Sequence, residues 1–245
     1  MSKTEIKILN PRRIEEGAGA DVLRLFPGPD IEHFDPFVLM DEFFVEAGAG
    51  FPMHKHAGFE AITYMIEGGF RHKDNLGNDS KVDAGGIQKF NAGDGIKHEE
   101  MPVGETGSHG FQLWVNLPME YKDSEPTYQK VESDEVPEWE SEGIKVRTVV
   151  GEGSPIGMYA DMLFLDVHLE EGAEYDMDIP NHFHGILYTY EGSMKVNGKM
   201  LDTHHAMFVK DKSEFQMMTD EDTKFIIIAG EPLEESINIR GSIVE

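Results

Sequence analysis

An all-β chain in two similar lobes is the architecture this sequence predicts. Sustained helical periodicity is scarce, and short apolar runs bounded by Gly, Asn, Asp and Pro recur along the 245 residues. The same order of events also occurs twice: a strand, a histidine pair, an "EG" turn at Glu67-Gly68 or Glu191-Gly192, a hairpin, then closing strands. That period is too long for a solenoid, so it points to an internal duplication.

In the first lobe, "FEAITYMIEGGFRHK" sets Ile62, Tyr64 and Ile66 at alternate positions, the period of a strand. "LGN" at 76–78 supplies a turn after it, and "GGIQKFNAG" and "GFQLWVNLP" are the strands that follow. In the second lobe the candidates are "KVRTVVG", "MLFLDVHL", "GILYTYEGSMKVNGKML", "AMFVK" and "TKFIIIAGE". Within the third of these, Asn197-Gly198 stands where a type I′ hairpin turn requires φ > 0 twice. Between the lobes, "PMEYKDSEPTYQKVESDEVPEW" is polar, carries three prolines and has no sustained period, as a linker with a helical turn would. The expected domains are therefore 1–118, a linker at 119–139, and 140–245.

Composition narrows the chemistry. There is no cysteine, so disulfides, zinc–thiolate sites, iron–sulfur clusters and thiol nucleophiles are excluded, and any metal must be held by nitrogen and oxygen. The N-terminal stretch lacks an apolar signal core and no apolar run is long enough to span a bilayer, so a soluble cytoplasmic protein with no membrane partner is expected. Lys and Arg number 21 against 47 Asp and Glu, a formal charge of −26, whose field repels phosphate backbones and disfavours direct nucleic-acid binding.

Against that background two polar pairs stand out. "FPMHKHAGFE" puts His54 and His56 two apart, and "AGDGIKHEEMP" does the same for His98 and Glu100. Residues i and i+2 of a strand point the same way, so each pair presents two donors on one face, while Glu99 points outward. If the two strands approach inside a barrel, three imidazoles and one carboxylate converge and leave positions open on a six-coordinate ion for water, O2 or substrate. The donor set suits Fe(II), Mn, Co, Ni or Cu, and zinc can occupy it. Glycines 93 and 95 permit a tight turn before the second pair. His33, His72, His109 and His168 lack such partnering and are expected in the core or at the surface. Phe51, Met53, Phe90, Gln112 and Trp114 are candidate pocket or core residues.

The blocks "HKHAGFEAITYMIEG", "HKDNLGN", "AGDGIKHEEMP" and "HGFQLWVNLP", flanked by "DPFVLMDEF" and "YKDSEPTYQ", resemble in this order the signature segments of the pirin family. The likeness is dense over about 35–137 and continues in "EGSMKVNG" and "GEPLEESINIRG". It implies a bicupin, two jelly-roll-like β-barrels face to face, with one non-haem iron in the N-terminal barrel on His54, His56, His98 and Glu100. It also implies one of two functions. The first is a quercetin 2,3-dioxygenase-like enzyme, in which a flavonol or similar aromatic binds through its 3-hydroxyl, O2 opens the ring with release of carbon monoxide, and Glu100 accepts the hydroxyl proton. The second is a metal-dependent regulatory protein acting through a protein partner. The chain departs from the family at Lys55 and Ala57, where Pro and Arg are usual, and at Lys89 and Asp94, where Trp and Arg are common.

The second histidine cluster, "PNHFHGILYTYEG", does not repeat the first. His56 stands twelve residues before Gly68, whereas His184 stands eight before Gly192, so His184 aligns with Glu60 and His182 with Gly58. His204 and His205 are adjacent and would face opposite sides of a strand. One metal per chain is therefore expected.

Overall fold

The structure, a computed structural model, describes residues 5–211 and 214–245. It is built from strands with two 3-10 turns, at Met119–Tyr121 and Ser133–Glu135. In chain order the first strands are β1 (Glu5–Leu9), β2 (Arg12–Glu16), β3 (Ala20–Phe26), β4 (Phe37–Val45), β5 (Phe51–His56) and β6 (Phe59–Glu67). Next come β7 (Gly69–Asp74), β8 (Asp79–Asp83), β9 (Ile87–Asn91), β10 (Ile96–Pro102), β11 (Ser108–Asn116) and β12 (Thr127–Val131). The chain continues through β13 (Glu138–Ser141), β14 (Ile144–Val150), β15 (Met162–Leu169), β16 (Glu174–Asp178), β17 (His184–Glu191) and β18 (Met194–Val196). It ends with β19 (Lys199–Leu201), β20 (Ala206–Lys210), β21 (Glu214–Met218), β22 (Thr223–Gly230), β23 (Ile239–Arg240) and β24 (Ile243–Val244).

The duplication is visible strand for strand. One seven-stranded sheet runs β12-β9-β6-β11-β4-β3-β2 and the other β1-β20-β17-β22-β15-β14-β13; each has a four-stranded companion, β5-β10-β7-β8 and β16-β21-β18-β19. Central strands such as β6 and β22 are buried on both faces and read as continuous apolar runs. Strands of the smaller sheets alternate buried and exposed positions, as in β7 and β21. The turn at Asn197-Gly198 has φ of 49° and 77°, the double positive φ of the type I′ turn expected there.

The compact units are discontinuous in sequence, unlike the contiguous ranges expected. One comprises residues 12–136, 158–160 and 233–245; the other, among the described residues, comprises 5–11, 137–157, 161–211 and 214–232. The stretch expected as a linker contributes β12, which pairs antiparallel with β9 and so belongs to the first sheet. At the matching edge of the second sheet stands β1, paired with β20. Both strands cover an otherwise open sheet edge: β12 comes from the same half of the sequence as the sheet it joins, whereas β1 crosses from the N-terminal end to the second sheet.

In the first unit the C-terminal return, β23 and β24, is fixed beside β5. Val244 N donates to Ala57 O at 3.0 Å. The ammonium of Lys122 donates to Gly58 O at 2.9 Å, Asn116 Oδ1 at 2.7 Å and Val244 O at 3.1 Å. The core of this unit gathers aromatic side chains, among them Phe43, Phe59, Phe70 and Phe90.

Candidate metal centre

β5 and β10 pair antiparallel with His98 opposite His54 and Ile96 opposite His56. The two polar pairs therefore meet side by side, as their period-2 spacing predicts. Between His98 and Glu100 the register against β5 slips, so that Glu100 faces Phe51; against β7 the register is unbroken, with Glu99 opposite Lys73. The bulge thus lies on the β5 side, and His98 and Glu100 keep one facing, both buried. The same slip turns Phe51 inward, while Met53, next to His54, faces outward by simple alternation and is 49% exposed, so Met53 is not a pocket residue.

His54 Nε2 lies 2.7 Å from His56 Nε2 and 3.1 Å from His98 Nε2. Glu100 Oε2 lies 4.0 Å from His98 Nε2. Two of these imidazoles have fixed tautomers. His54 Nδ1 meets Pro52 O at 2.8 Å and His56 Nδ1 meets Ser242 O at 3.3 Å. A carbonyl only accepts, so both Nδ1 atoms carry hydrogen and both Nε2 atoms present bare lone pairs to each other. Such a contact is repulsive unless a cation sits between them. Ligands about 2.1 Å from a common ion are separated by about 3 Å when cis on an octahedron and about 3.4 Å on a tetrahedron, and the His54–His56 and His54–His98 spacings are those of donors able to share one ion. The residues present therefore fit a bound transition metal.

The electrostatics agree. Burial lowers the His54 pKa; burial and then the neighbouring His54 push His56 down to about 3; and burial with the adjacent imidazoles holds His98 well below its usual value. Burial pushes Glu100 up to about 7, partly offset by its hydrogen bond from Thr63. Thr63 is a participant the sequence reading missed. Its hydroxyl lies 3.0 Å from Glu100 Oε1 and 2.6 Å from Gln112 Oε1, and with one proton it donates to one acceptor at a time.

The centre opens into a cavity of about 450 Å³ whose lining includes Phe51, Gln112 and Trp114 together with Val38, Leu39, Phe43 and Phe70. Phe90 instead packs in the core, with its ring 4.7 Å from that of His98. At the cavity wall Arg24 is held by Asp41, at 2.9 and 2.7 Å, and by Glu16 at 2.9 Å. Of the positions that depart from the family pattern, Lys89 is buried against Glu60 at 2.6 Å and Lys55 is exposed; neither lines the cavity.

His109 sits 2.8 Å from Glu42, outside the centre. His72, by contrast, is fully buried beside His98, and a second group of donors, His72, His98 and Glu100, lies within 4.8 Å. The signal for His72 was in the sequence: "HKD" places His72 and Asp74 two apart on one face, the same spacing as the histidine pairs.

In the second unit the strands matching β5 and β10 are β16 and β21. Their paired inward positions carry Tyr175 opposite Met217 and Met177 opposite Phe215, all packed in the core, with no imidazole or carboxylate. His204 lies in a turn with φ of 55°. His182 is exposed 3.5 Å from Glu231. The His182→Ala/His184→Ala double variant is accordingly expected to retain the metal content of the parent, one equivalent by elemental analysis; two equivalents in the parent, or loss in the variant, would contradict this.

Two barrels of matched strand order, one with a cluster of three histidines and a glutamate, define a two-domain cupin. The family model described as Pirin matches residues 19–115, and that described as Pirin C-terminal cupin domain matches 164–245. Pirin of Homo sapiens is 35% identical over 253 residues, covering 99% of this chain and 87% of that protein. The chain belongs to the Pirin family. Among solved structures, a quercetin 2,3-dioxygenase from Acinetobacter baumannii is 25% identical with a TM-score of 0.90, covering 98% of this chain and 83% of its own. A bacterial pirin from Escherichia coli in complex with nickel(II) is 23% identical with a TM-score of 0.78, covering 93% and 99%. Among the described residues no helix is long and apolar enough to cross a membrane.

Proposed function

We propose that the chain is a metal-dependent dioxygenase that opens the ring of a flavonol or a closely related enolisable aromatic, with His54, His56, His98 and Glu100 holding one divalent ion. The observation that carries this reading is the gathering of three imidazoles, with the Glu100 carboxyl 4.0 Å from His98, beside a largely apolar cavity that His54, His56 and Glu100 help to line. Its volume of about 450 Å³ is within the range of small-molecule sites. The name of the Acinetobacter relative supports the substrate class.

The metal, when bound, supplies a Lewis-acidic position for the ring hydroxyl and a redox partner for O2. The chain's own residues do the rest. Phe43, Phe51 and Phe70 contribute apolar walls that favour a flat ring and keep water out. Glu100 accepts the hydroxyl proton; as it does so, the single proton of Thr63 turns from Glu100 to Gln112, so neither carboxyl state is left without a partner. Returning that proton to the ring-opened product restores the starting state. A flavonol and O2 give an ester and carbon monoxide, which balances without a further reductant.

Anaerobic loading with Fe(II), followed by quercetin and air, tests the proposal. O2 uptake with loss of flavonol absorbance is expected, and loaded protein that leaves both unchanged would remove the named activity.

A further inference from the structure

Each imidazole of the centre has its second nitrogen held, but not by the same kind of group. His54 and His56 rest on neutral carbonyls. His98 Nδ1 instead lies 3.3 Å from Nδ1 of His72, whose Nε2 lies 2.9 Å from Asp74 Oδ2. The side chains of His72 and Asp74 are shut off from solvent. The ring of His72 is further fixed by stacking on Tyr128, with centroids 4.1 Å apart.

The direction of these bonds follows from what each atom can do. A carboxylate accepts, so His72 carries its hydrogen on Nε2 and offers a lone pair at Nδ1. His98 must then donate from Nδ1, which leaves its Nε2 free to face His54 and His56. The other donors to Asp74 are Leu76 N at 2.9 Å, Asn78 N at 3.0 Å and Asn78 Nδ2 at 2.8 Å, all neutral. Its negative charge is therefore fixed in place and directed through His72.

We propose that Asp74 and His72 form a charged positioning pair for the metal, making His98 a stronger donor than the other two imidazoles and biasing the ion toward its oxidised state. A ligand imidazole backed by a carboxylate gains basicity in this way, and loss of such support costs metal affinity. The inference rests on the metal site proposed above. It also makes His72 a support and not a ligand of a second ion, although its position among the donors His72, His98 and Glu100 would allow either role.

The test uses the full chain loaded anaerobically with Fe(II). The parent must first bind one equivalent, lost in His98→Ala; if it does not, the metal site itself is wrong. Given that binding, Asp74→Asn and His72→Gln are expected to keep one equivalent with affinity reduced about 10- to 100-fold. Both substitutions preserve an amide or acceptor near the original position while removing the charged connection. They are also expected to shift the Fe(III)/Fe(II) preference about tenfold toward Fe(II), a rise of about 59 mV for one electron. Asn78→Ala removes one neutral side-chain donor from Asp74 Oδ2 while keeping the carboxylate charge and its contact with His72, and its potential should move far less than in those two variants. Potentials unchanged in both Asp74→Asn and His72→Gln, or shifted equally by Asn78→Ala, would overturn the proposal. So would a second equivalent of iron lost on replacing His72.

Discussion

Glu100→Gln is expected to reduce turnover of a flavonol by about 10²- to 10⁴-fold, the usual worth of a positioned proton acceptor, and to flatten the pH dependence of metal affinity near neutrality. Glutamine has nearly the shape of glutamate and can still meet Thr63, but it neither ionises nor takes a proton. The pH effect has a definite sign. Burial holds Glu100 protonated up to about 7 in the metal-free chain, so below that pH an incoming cation must displace a proton. Affinity therefore falls as pH drops through 7 and levels off above it. The histidines, with lowered pKa values, do not compete for protons in this window. Calorimetric titration in buffers of different ionisation enthalpy reads the released proton directly; it should be present in the parent at pH 6 to 7 and absent in Glu100→Gln. Glu99→Gln, on the outward side of β10, should resemble the parent in both respects. If Glu99→Gln loses turnover and Glu100→Gln does not, the roles assigned to the two acids are reversed.

Gly58→Ala should be strongly damaging for so conservative a change. Gly58 has φ of +83°, and a β-carbon there would stand 1.9 Å from Val244 O. A left-handed backbone at a residue with a side chain costs roughly 1–2 kcal/mol, and the return holding Ser242 against His56 must also shift. A total near 3 kcal/mol corresponds to a fall in melting temperature on the order of 6–12 °C. Metal affinity should fall with it, because His56 loses the carbonyl that fixes its tautomer. Gly172→Ala, in the second unit, is the control: its φ of +80° carries the same backbone strain, but a β-carbon there meets nothing within 4 Å. It should cost only the strain and leave metal affinity alone. Equal losses in the two variants would show that the return does not support the site.

How much of this was legible in the sequence depends on the range over which each feature is encoded. The facing of His54 with His56, and of His98 with Glu100, is written in a two-residue period, and the strands deliver it. The bulge that brings Phe51 inward is not, because it arises from pairing with β10, and no local pattern marks which residue becomes the extra one. The small-sheet strands β16 and β21 are hard to read locally for a related reason. "EYDMD" and "EFQMM" bury only every second residue, and the other face is acidic in the first and mixed in the second, so neither forms an apolar run. His72 and Asp74 carry the same spacing, but a carboxylate two residues from a single histidine does not by itself distinguish a support from a surface ion pair. The exchanged ends needed partners some two hundred residues away, such as Leu9 opposite Ala206.

The contact between His56 and Ser242 spans 186 residues of sequence, which places the metal centre in time as well as in space. A chain emerging N-terminus first has made all three histidines and Glu100 long before the carbonyl that orients His56 exists. Until then, closing the loop between them carries an entropic cost with no return, and early capture of a cation would fix His56 without its orienting carbonyl. Loading in a defined geometry therefore belongs after the second unit has been traversed. A fragment ending at residue 136 should still gather the donors yet bind metal loosely and heterogeneously, visible as broadened lines in the cobalt(II)-substituted spectrum.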